Sequence, residues 1–240
     1  MRYILRRWRI LILGNVAVLL FLFVIAVGGN KAITVVSERH YVKPDRYIVI
    51  DAGHGGIDGG TTSCTGVLES KINLDIALKL EDLLHLLGMH TIMIRTEDVS
   101  IYTEGESIAS KKVSDLRNRV RIINETNNAV LVSIHQNYFD QQQYSGAQVF
   151  YAGTAHSENL AKSMQSIFVK VLNPGSNRQA KKANGMYLLK HINCPGVLIE
   201  CGFLSNPAEE SKLLSDAYQK KICCVIASAL SSFLTPNSVT

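Results

Sequence analysis

The sequence predicts an α/β domain whose sheet is covered by helices on both faces. Two observations carry that reading. Short apolar runs of strand length alternate with stretches of helical periodicity from residue 47 to residue 234. One of those runs, residues 129–134, is apolar almost throughout, the pattern of a strand buried on both sides.

The elements follow in order. Residues 47–51 are a short β-branched run that leads into a glycine-rich loop, 52–60. Across 71–87, Ile72, Ile76, Leu80, Leu83, Leu84 and Leu87 form a helical stripe, and Gly88 is its stop. Residues 91–94 read as a second strand. Ser114-Asp115 reads as the cap of a helix reaching Thr126, with Leu116, Val120 and Ile123 on one face. Strands at 129–134 and 147–151 precede an amphipathic helix at 157–172. Residues 186–189 and 196–199 read as two more strands. Asn206-Pro207 starts a short helix, and a helix at 217–234 closes the domain. Residues 99–113 lack clear periodicity, so they read either as the border of a groove or as a surface loop.

With 240 residues, 47% hydrophobic and 19% charged, the chain can bury one good core, which argues for a single catalytic unit. Residues 1–29 are different material. Arg2, Arg6, Arg7 and Arg9 precede an apolar run at 10–29 that only Asn15 interrupts. That length suits a helix crossing a hydrocarbon core of about 30 Å, and the arginines favour a cytoplasmic N-terminus. The segment reads as a membrane anchor. A signal peptide is the other reading, with Ala26-Val27-Gly28 as its cleavage site. Both readings export the rest of the chain: a polar linker at 30–45 and the domain at 46–236.

The formal charge of +5 resides mostly in that leader, since without the four tail arginines 21 basic residues face 20 acidic ones. The globular part therefore carries no electrostatic footprint for nucleic acid. Five cysteines, Cys64, Cys194, Cys201, Cys223 and Cys224, form neither a disulfide framework nor a CxxC pair. Most read as small buried hydrophobes, with Cys64 as the exposed thiol and the adjacent Cys223 and Cys224 diverging on a helix.

Ligands of open α/β sheets sit at the carboxyl ends of strands. His54 follows the first strand there, His135 and Glu200 end two apolar strands, and Glu69 lies after the glycine loop just before the first helix. A charged group immediately beyond an apolar strand needs a partner, and a divalent metal is one. Two imidazoles and a carboxylate with an open fourth position form a catalytic zinc arrangement. Spacing alone leaves a structural role open for each histidine.

The wording of the motifs says more. Asp51-Ala-Gly-His-Gly-Gly-Ile-Asp-Gly-Gly60, Leu68-Glu69 with Asn73-Leu74, Ser133-Ile-His-Gln-Asn137, Gly146-Ala-Gln-Val149 and Pro195-Gly-Val-Leu-Ile-Glu-Cys-Gly-Phe-Leu-Ser-Asn206 resemble the zinc-dependent N-acetylmuramoyl-L-alanine amidases. The resemblance covers residues 46–234. It is nearest to the spore-cortex members, which share a helix like residues 114–124. It implies a three-layer fold with a mixed, mostly parallel sheet of about six strands. It also implies zinc bound by His54, Glu69 and His135, with Glu200 as the catalytic acid/base.

The implied activity is hydrolysis of the amide joining muramic acid to L-alanine in peptidoglycan, in the cortex a step toward muramic lactam. Two rival readings are an anchored peptidoglycan receptor without turnover and a zinc peptidase acting within stem peptides. With no wall-binding repeat in the sequence, the anchor or a separate accessory protein is expected to supply localisation or control.

The other motif residues carry plainer expectations. Asp51 and Asp58 orient His54 or bind loop amides, and the glycines allow close backbone approach around a metal. Asn137 serves either substrate or its own loop. Arg95 reads as a structural ion pair, and Arg117, Arg119 and Arg121 as mostly solvated charge. Cys201, where relatives usually carry an aliphatic or small residue, is expected to turn into the core, away from Glu200. His85, His90, His156 and His191 carry no functional reading.

Overall fold

A computed structural model describes residues 46–235. The expected anchor at 1–29 and linker at 30–45 lie outside the described residues, as does residue 236 of the expected domain. Among the described residues no helix is long and apolar enough to cross a membrane.

The chain runs through β1 (Tyr47–Ala52), α1 (Glu69–Leu86), β2 (His90–Met93), α2 (Ile108–Glu125), β3 (Ala129–Asn137) and β4 (Gln148–Tyr151). It continues through α3 (Ser157–Val171), β5 (Lys181–Lys182), α4 (Tyr187–His191), β6 (Gly196–Phe203), α5 (Pro207–Leu213) and α6 (Asp216–Leu234). Six strands form one sheet in the order β2-β1-β3-β6-β4-β5. The pairs β1–β2, β1–β3, β3–β6 and β4–β5 are parallel, and β4 runs antiparallel to β6. The sheet is therefore mixed and mostly parallel, as the resemblance implied.

Alternate strand residues feed two cores. Ile48, Ile50, Val130, Val132, Val197 and Ile199 pack with Ile76 and Leu80 of α1, Leu160 and Phe168 of α3, and Ile226 of α6. Val49, Leu131 and Leu198 point the other way, against Ile123 of α2 and Leu188 and Leu189 of α4. Two-sided burial explains why these strands read as unbroken apolar runs rather than as alternating ones. The expected Cys201 orientation holds: it is 1% exposed in the larger core.

Five elements depart from the sequence reading. The helix expected to start at Ser114 begins two turns earlier. Ser107 caps it, its hydroxyl accepting from Ser110 N–H at 3.1 Å, and the Ser110 side chain answers the Ser107 backbone N–H at 3.0 Å. Ser114 is buried inside the helix, where its hydroxyl accepts from Thr103 N–H at 3.1 Å. The aperiodic stretch at 99–113 is thus part loop and part helix; Ile108 and Val113 in its first two turns are exposed and add no buried stripe to reveal it.

Residues 186–189, expected as a strand, are the start of the short helix α4, preceded by Gly185 at φ 76°. Four apolar residues satisfy either period, and here Leu188 and Leu189 close the second core as a helical pair. The two-residue strand β5 was not anticipated, its lysines offering no apolar signal. Finally, β3 and β6 continue past their apolar runs, so His135 and Glu200 are strand residues held in register opposite each other.

Phe168 is a stringent reporter of this packing, being fully buried where α3 meets the sheet and α6. Phe168→Ala is expected to reduce unfolding free energy by about 3–5 kcal/mol, seen as a lowered urea midpoint. A change below about 1 kcal/mol would mean that the α3 layer is not packed as described.

Candidate metal centre

β1 delivers Asp51, Gly53 and His54 to the carboxyl edge of the sheet. His54 turns the chain with φ 61°, a left-handed conformation that costs a β-carbon residue free energy and needs outside support. Two buried arginines supply it. Arg119 donates from Nη2 to the His54 carbonyl at 2.7 Å and from Nη1 to Ala52 O at 3.0 Å. Arg95 donates from Nε to Ala52 O at 2.8 Å and from Nη2 to Gly53 O at 3.0 Å and Ser70 O at 2.8 Å.

Both arginines correct the sequence reading. Arg119 was expected to be solvated, yet it is 2% exposed and ion-paired with Asp51 and Asp115. Arg95 was expected in an ion pair, but the hydrogen bonds described for it all go to backbone carbonyls. Burial alone would push the Asp51 carboxyl up; the Arg119 guanidinium and the Ser133 hydroxyl outweigh it and hold Asp51 ionised. Arg117, by contrast, is exposed beside Glu104, and Arg121 beside Glu125, as expected.

Glu69 opens α1 with its side chain 3% exposed. Its Oε1 accepts from Asn73 Nδ2 at 3.2 Å and from Gln136 N–H at 3.1 Å, while Oε2 accepts from Thr61 N–H at 3.0 Å and from the Thr61 hydroxyl at 3.2 Å. The same Oε1 lies 3.4 Å from His54 Nε2 and 3.1 Å from His135 Nδ1. Burial opposes the charge, but the two imidazoles more than offset it and hold the carboxyl far below the usual range. A carboxylate in the first turn also meets the positive end of the helix dipole.

His54 is oriented from behind. Its Nδ1 lies 2.9 Å from Asp58 Oδ2, and Asp58 is itself held by Lys112 Nζ at 2.7 Å and by Gly60 N–H at 3.3 Å. This is the orienting role expected of Asp58. Burial disfavours the imidazolium, yet the bonds to Asp58 and Glu69 win and push His54 up to about 9. The rings of His54 and His135 meet edge to face with centroids 5.0 Å apart.

Ligand atoms of His54, Glu69 and His135 all lie within 4.8 Å of one another, a set that could hold a metal ion. Two imidazole nitrogens and one carboxylate oxygen match the donor chemistry of a zinc site, and a carboxylate behind one imidazole is the usual orienting partner. The backbone is cut to fit. A β-carbon on Gly53 would stand 2.2 Å from the His135 ring, and one on Gly60 would stand 2.6 Å from Glu69 Oε2. This close approach is what the glycine loop was expected to provide.

Glu200 sits opposite His135 in the β3–β6 ladder and lines the same pocket, a cavity of about 410 Å³ that also meets His54 and Gly53. Its Oε2 is buried without a hydrogen-bond partner. Burial, with Glu69 adding to it, raises the Glu200 carboxyl against the pull of the histidines. Ser100, Lys111 and Lys112 form part of the wall, so the stretch at 99–113 borders this groove. Asn137 contributes its backbone carbonyl, which accepts from Leu204 N–H at 2.8 Å, in line with the loop-holding alternative.

The sequence reading thus brings His54, Glu69, His135 and Glu200 to one place. It missed the arginine clamp, Asn73 and Lys112. Asn73 is fully buried and ties Glu69 to the Gly53 carbonyl, at 3.1 Å from the latter. The available hint for Arg119 was its spacing of four residues from Asp115 on the face that carries Leu116, Val120 and Ile123.

Comparison with known proteins adds an independent line. The family model described as N-acetylmuramoyl-L-alanine amidase matches residues 48–232. A germination-specific N-acetylmuramoyl-L-alanine amidase of Bacillus subtilis is 36% identical over 233 residues, covering 95% of both chains. Among solved structures, the CwlD amidase of Clostridioides difficile, in complex with the GerS lipoprotein, aligns with a TM-score of 0.75 and 41% identity over 78% of this chain and 98% of that one. An N-acetylmuramoyl-L-alanine amidase from Clostridium difficile 630 aligns at a TM-score of 0.69 with 31% identity, covering 80% and 98%.

The fit of Gly53 against His135 generates a direct test. Gly53→Ala is expected to leave the domain folded while weakening zinc binding by at least about tenfold, the scale on which disturbed support of a ligand acts. Calorimetric titration of zinc into the chelator-stripped protein reads it. Unchanged affinity would show that the His135 ring does not need its present position.

Proposed function

We propose how this chain, which belongs to the N-acetylmuramoyl-L-alanine amidase family, carries out its hydrolysis: His54, Glu69 and His135 hold a zinc ion, and Glu200 moves the proton. The chain is a peptidoglycan amidase, acting outside the cytoplasm. The observation that supports the proposed chemistry is the convergence of three ligand atoms within 4.8 Å beside a buried carboxyl oxygen that no protein group answers.

When bound, zinc supplies Lewis acidity, which activates water and polarises a carbonyl oxygen. The protein does the rest. Asp58 holds the His54 ring with Nδ1 engaged, leaving Nε2 for the ion. Asn73, Thr61 and the Gln136 amide fix the Glu69 carboxylate in one orientation. Glu200 has two properties of a proton carrier: it lines the pocket with one carboxyl oxygen left without a hydrogen-bond partner, and burial raises its affinity for a proton. It takes a proton from the attacking water and returns it to the departing alanine nitrogen. An amide nitrogen is a poor leaving group without that proton, so the residue that supplies it carries much of the rate.

Glu200→Gln keeps the shape and removes the proton exchange. It is expected to lower kcat by about 10²–10⁴-fold with zinc content unchanged. The measurement is release of free peptide amino groups from peptidoglycan, with products identified by mass spectrometry. Turnover that survives the substitution would remove Glu200 from this role. Wild-type products cut inside the stem peptide would favour a zinc peptidase, and binding without turnover a receptor.

We further propose that this chain works on the spore cortex, in the route to muramic lactam, as the name of its B. subtilis relative suggests. In that setting residues 1–29 attach it to the membrane, and an accessory protein helps to place or control it; a structural relative was solved with a lipoprotein partner. Imaging the full chain against residues 46–236 alone in sporulating cells tests this. The truncated form is expected to lose its focus at the forespore; correct placement of the isolated domain would contradict the proposal.

A further inference from the structure

A second cavity, of about 1060 Å³, includes in its wall Gln148, the β4 residue paired with Glu200. Tyr144, Gln148, Arg178, Lys181, Lys212 and Glu209 are among its walls. Its charge is lopsided. Glu209 is the single acid there, and it is already engaged, accepting from Gly146 N–H at 2.7 Å with its side chain only 5% exposed. Three cations face the space, and among the described residues no carboxylate pairs with Arg178 or Lys181.

Arg178 is held rather than loose. Its guanidinium lies 5.2 Å from the centroid of the Phe203 ring, and its Nε and Nη2 donate to Ser145 O at 3.2 and 3.0 Å. Its Nη1 reaches Gln148 Oε1 at 3.4 Å. These bonds leave donors over. A stacked, pre-positioned guanidinium with free N–H groups is the side chain best suited to a carboxylate, because little freedom is lost on binding.

Position completes the case. Gln148 is the direct cross-strand partner of Glu200. One strand spacing of about 5 Å, a glutamine side chain and a hydrogen bond therefore separate the two sites, a span on the order of 10 Å. That equals about three residues of extended peptide at roughly 3.5 Å each. The peptide side of the scissile amide begins at alanine. Its second residue, a glutamate linked through its side chain, presents a free α-carboxylate within that reach.

We propose that this groove is the peptide subsite of the enzyme and that Arg178 selects stem peptides bearing a free carboxylate near the cleaved bond. Lys181 adds field, and Lys212 adds less of it because its Nζ lies 3.9 Å from Glu209 Oε1. Arg178 is a specificity residue, distant from the reacting atoms, and the proposal rests on the amidase reading. It orients the substrate: the stem peptide runs over β4 toward Arg178, and the muramic acid side lies over the cavity bordered by Lys111 and Met186.

The test uses the full-length chain loaded with zinc and two soluble muropeptides that differ at one group, α-carboxylate or α-carboxamide on the second residue. Wild-type enzyme is expected to favour the carboxylate form by about tenfold or more in kcat/KM, the value of one charge-assisted contact. Arg178→Gln is expected to raise KM for the carboxylate form alone and bring the ratio near one, with zinc content unchanged. Arg178→Lys should keep part of the preference. Should Arg178→Gln fold poorly, the exposed pair Lys181→Gln and Lys212→Gln must still lower the ratio severalfold. An equal loss on both substrates, or a wild-type ratio near one, would overturn the proposal. Failure of wild type on both substrates would instead overturn the amidase reading, and this proposal with it.

Discussion

A carboxylate removed from water must have its charge and its lone pairs answered, and Glu69 is where this fold meets that demand. Its two oxygens collect a helix start, a buried asparagine, the loop residue Thr61, a strand amide and two imidazoles. These partners come from the loop after β1, from α1 itself and from β3, so the position of Glu69 ties the three into one geometry. Replacing the two imidazole contacts by shared coordination of a cation is the natural completion of such a cluster. The bonds to Asp58 and Glu69 also favour the charged imidazole and push His54 up to about 9.

The backbone that carries His54 is strained, and the strain is met from outside the loop. Arg95 and Arg119 bond the consecutive carbonyls of Ala52, Gly53 and His54, while Asp51 and Asp115 balance the Arg119 charge. A buried ion pair of this kind contributes little net stability, and losing one member leaves an unanswered charge. Its value here is positional: it fixes the exit angle of β1, so that His54 faces Glu69 across a gap too tight for any side chain at Gly60. Loop, clamp and ligand set are one construction.

Much of this was legible from residue order. Fold class followed from the alternation of apolar runs and helical stripes, because two-sided burial writes hydrophobicity directly into the strands. His54, His135 and Glu200 stood out as polar groups beyond apolar strands, Glu69 as the acid between the glycine loop and the first helix, and the motif wording joined the four. What could not be read is what depends on three-dimensional neighbours. Arg119 looks like Arg117 and Arg121 in sequence, yet only it reaches Asp51. Residues 186–189 satisfy strand and helix equally, and the space beside Leu131 and Leu198 decided for helix. Ser107 and Ser110 form a capping box that a polar stretch disguises as loop. In each case the local pattern was ambiguous and tertiary contact resolved it.

In the proposed centre two imidazoles and one carboxylate, and no thiolate, hold the zinc ion. X-ray absorption at the zinc edge of the purified full-length protein tests it most directly. The expected result is one zinc per chain, with nitrogen and oxygen scatterers at about 2.0–2.1 Å and the outer-shell signature of two imidazole rings. A sulfur shell near 2.3 Å, which would bring the cysteines into the site, or a protein that retains no zinc, would contradict it.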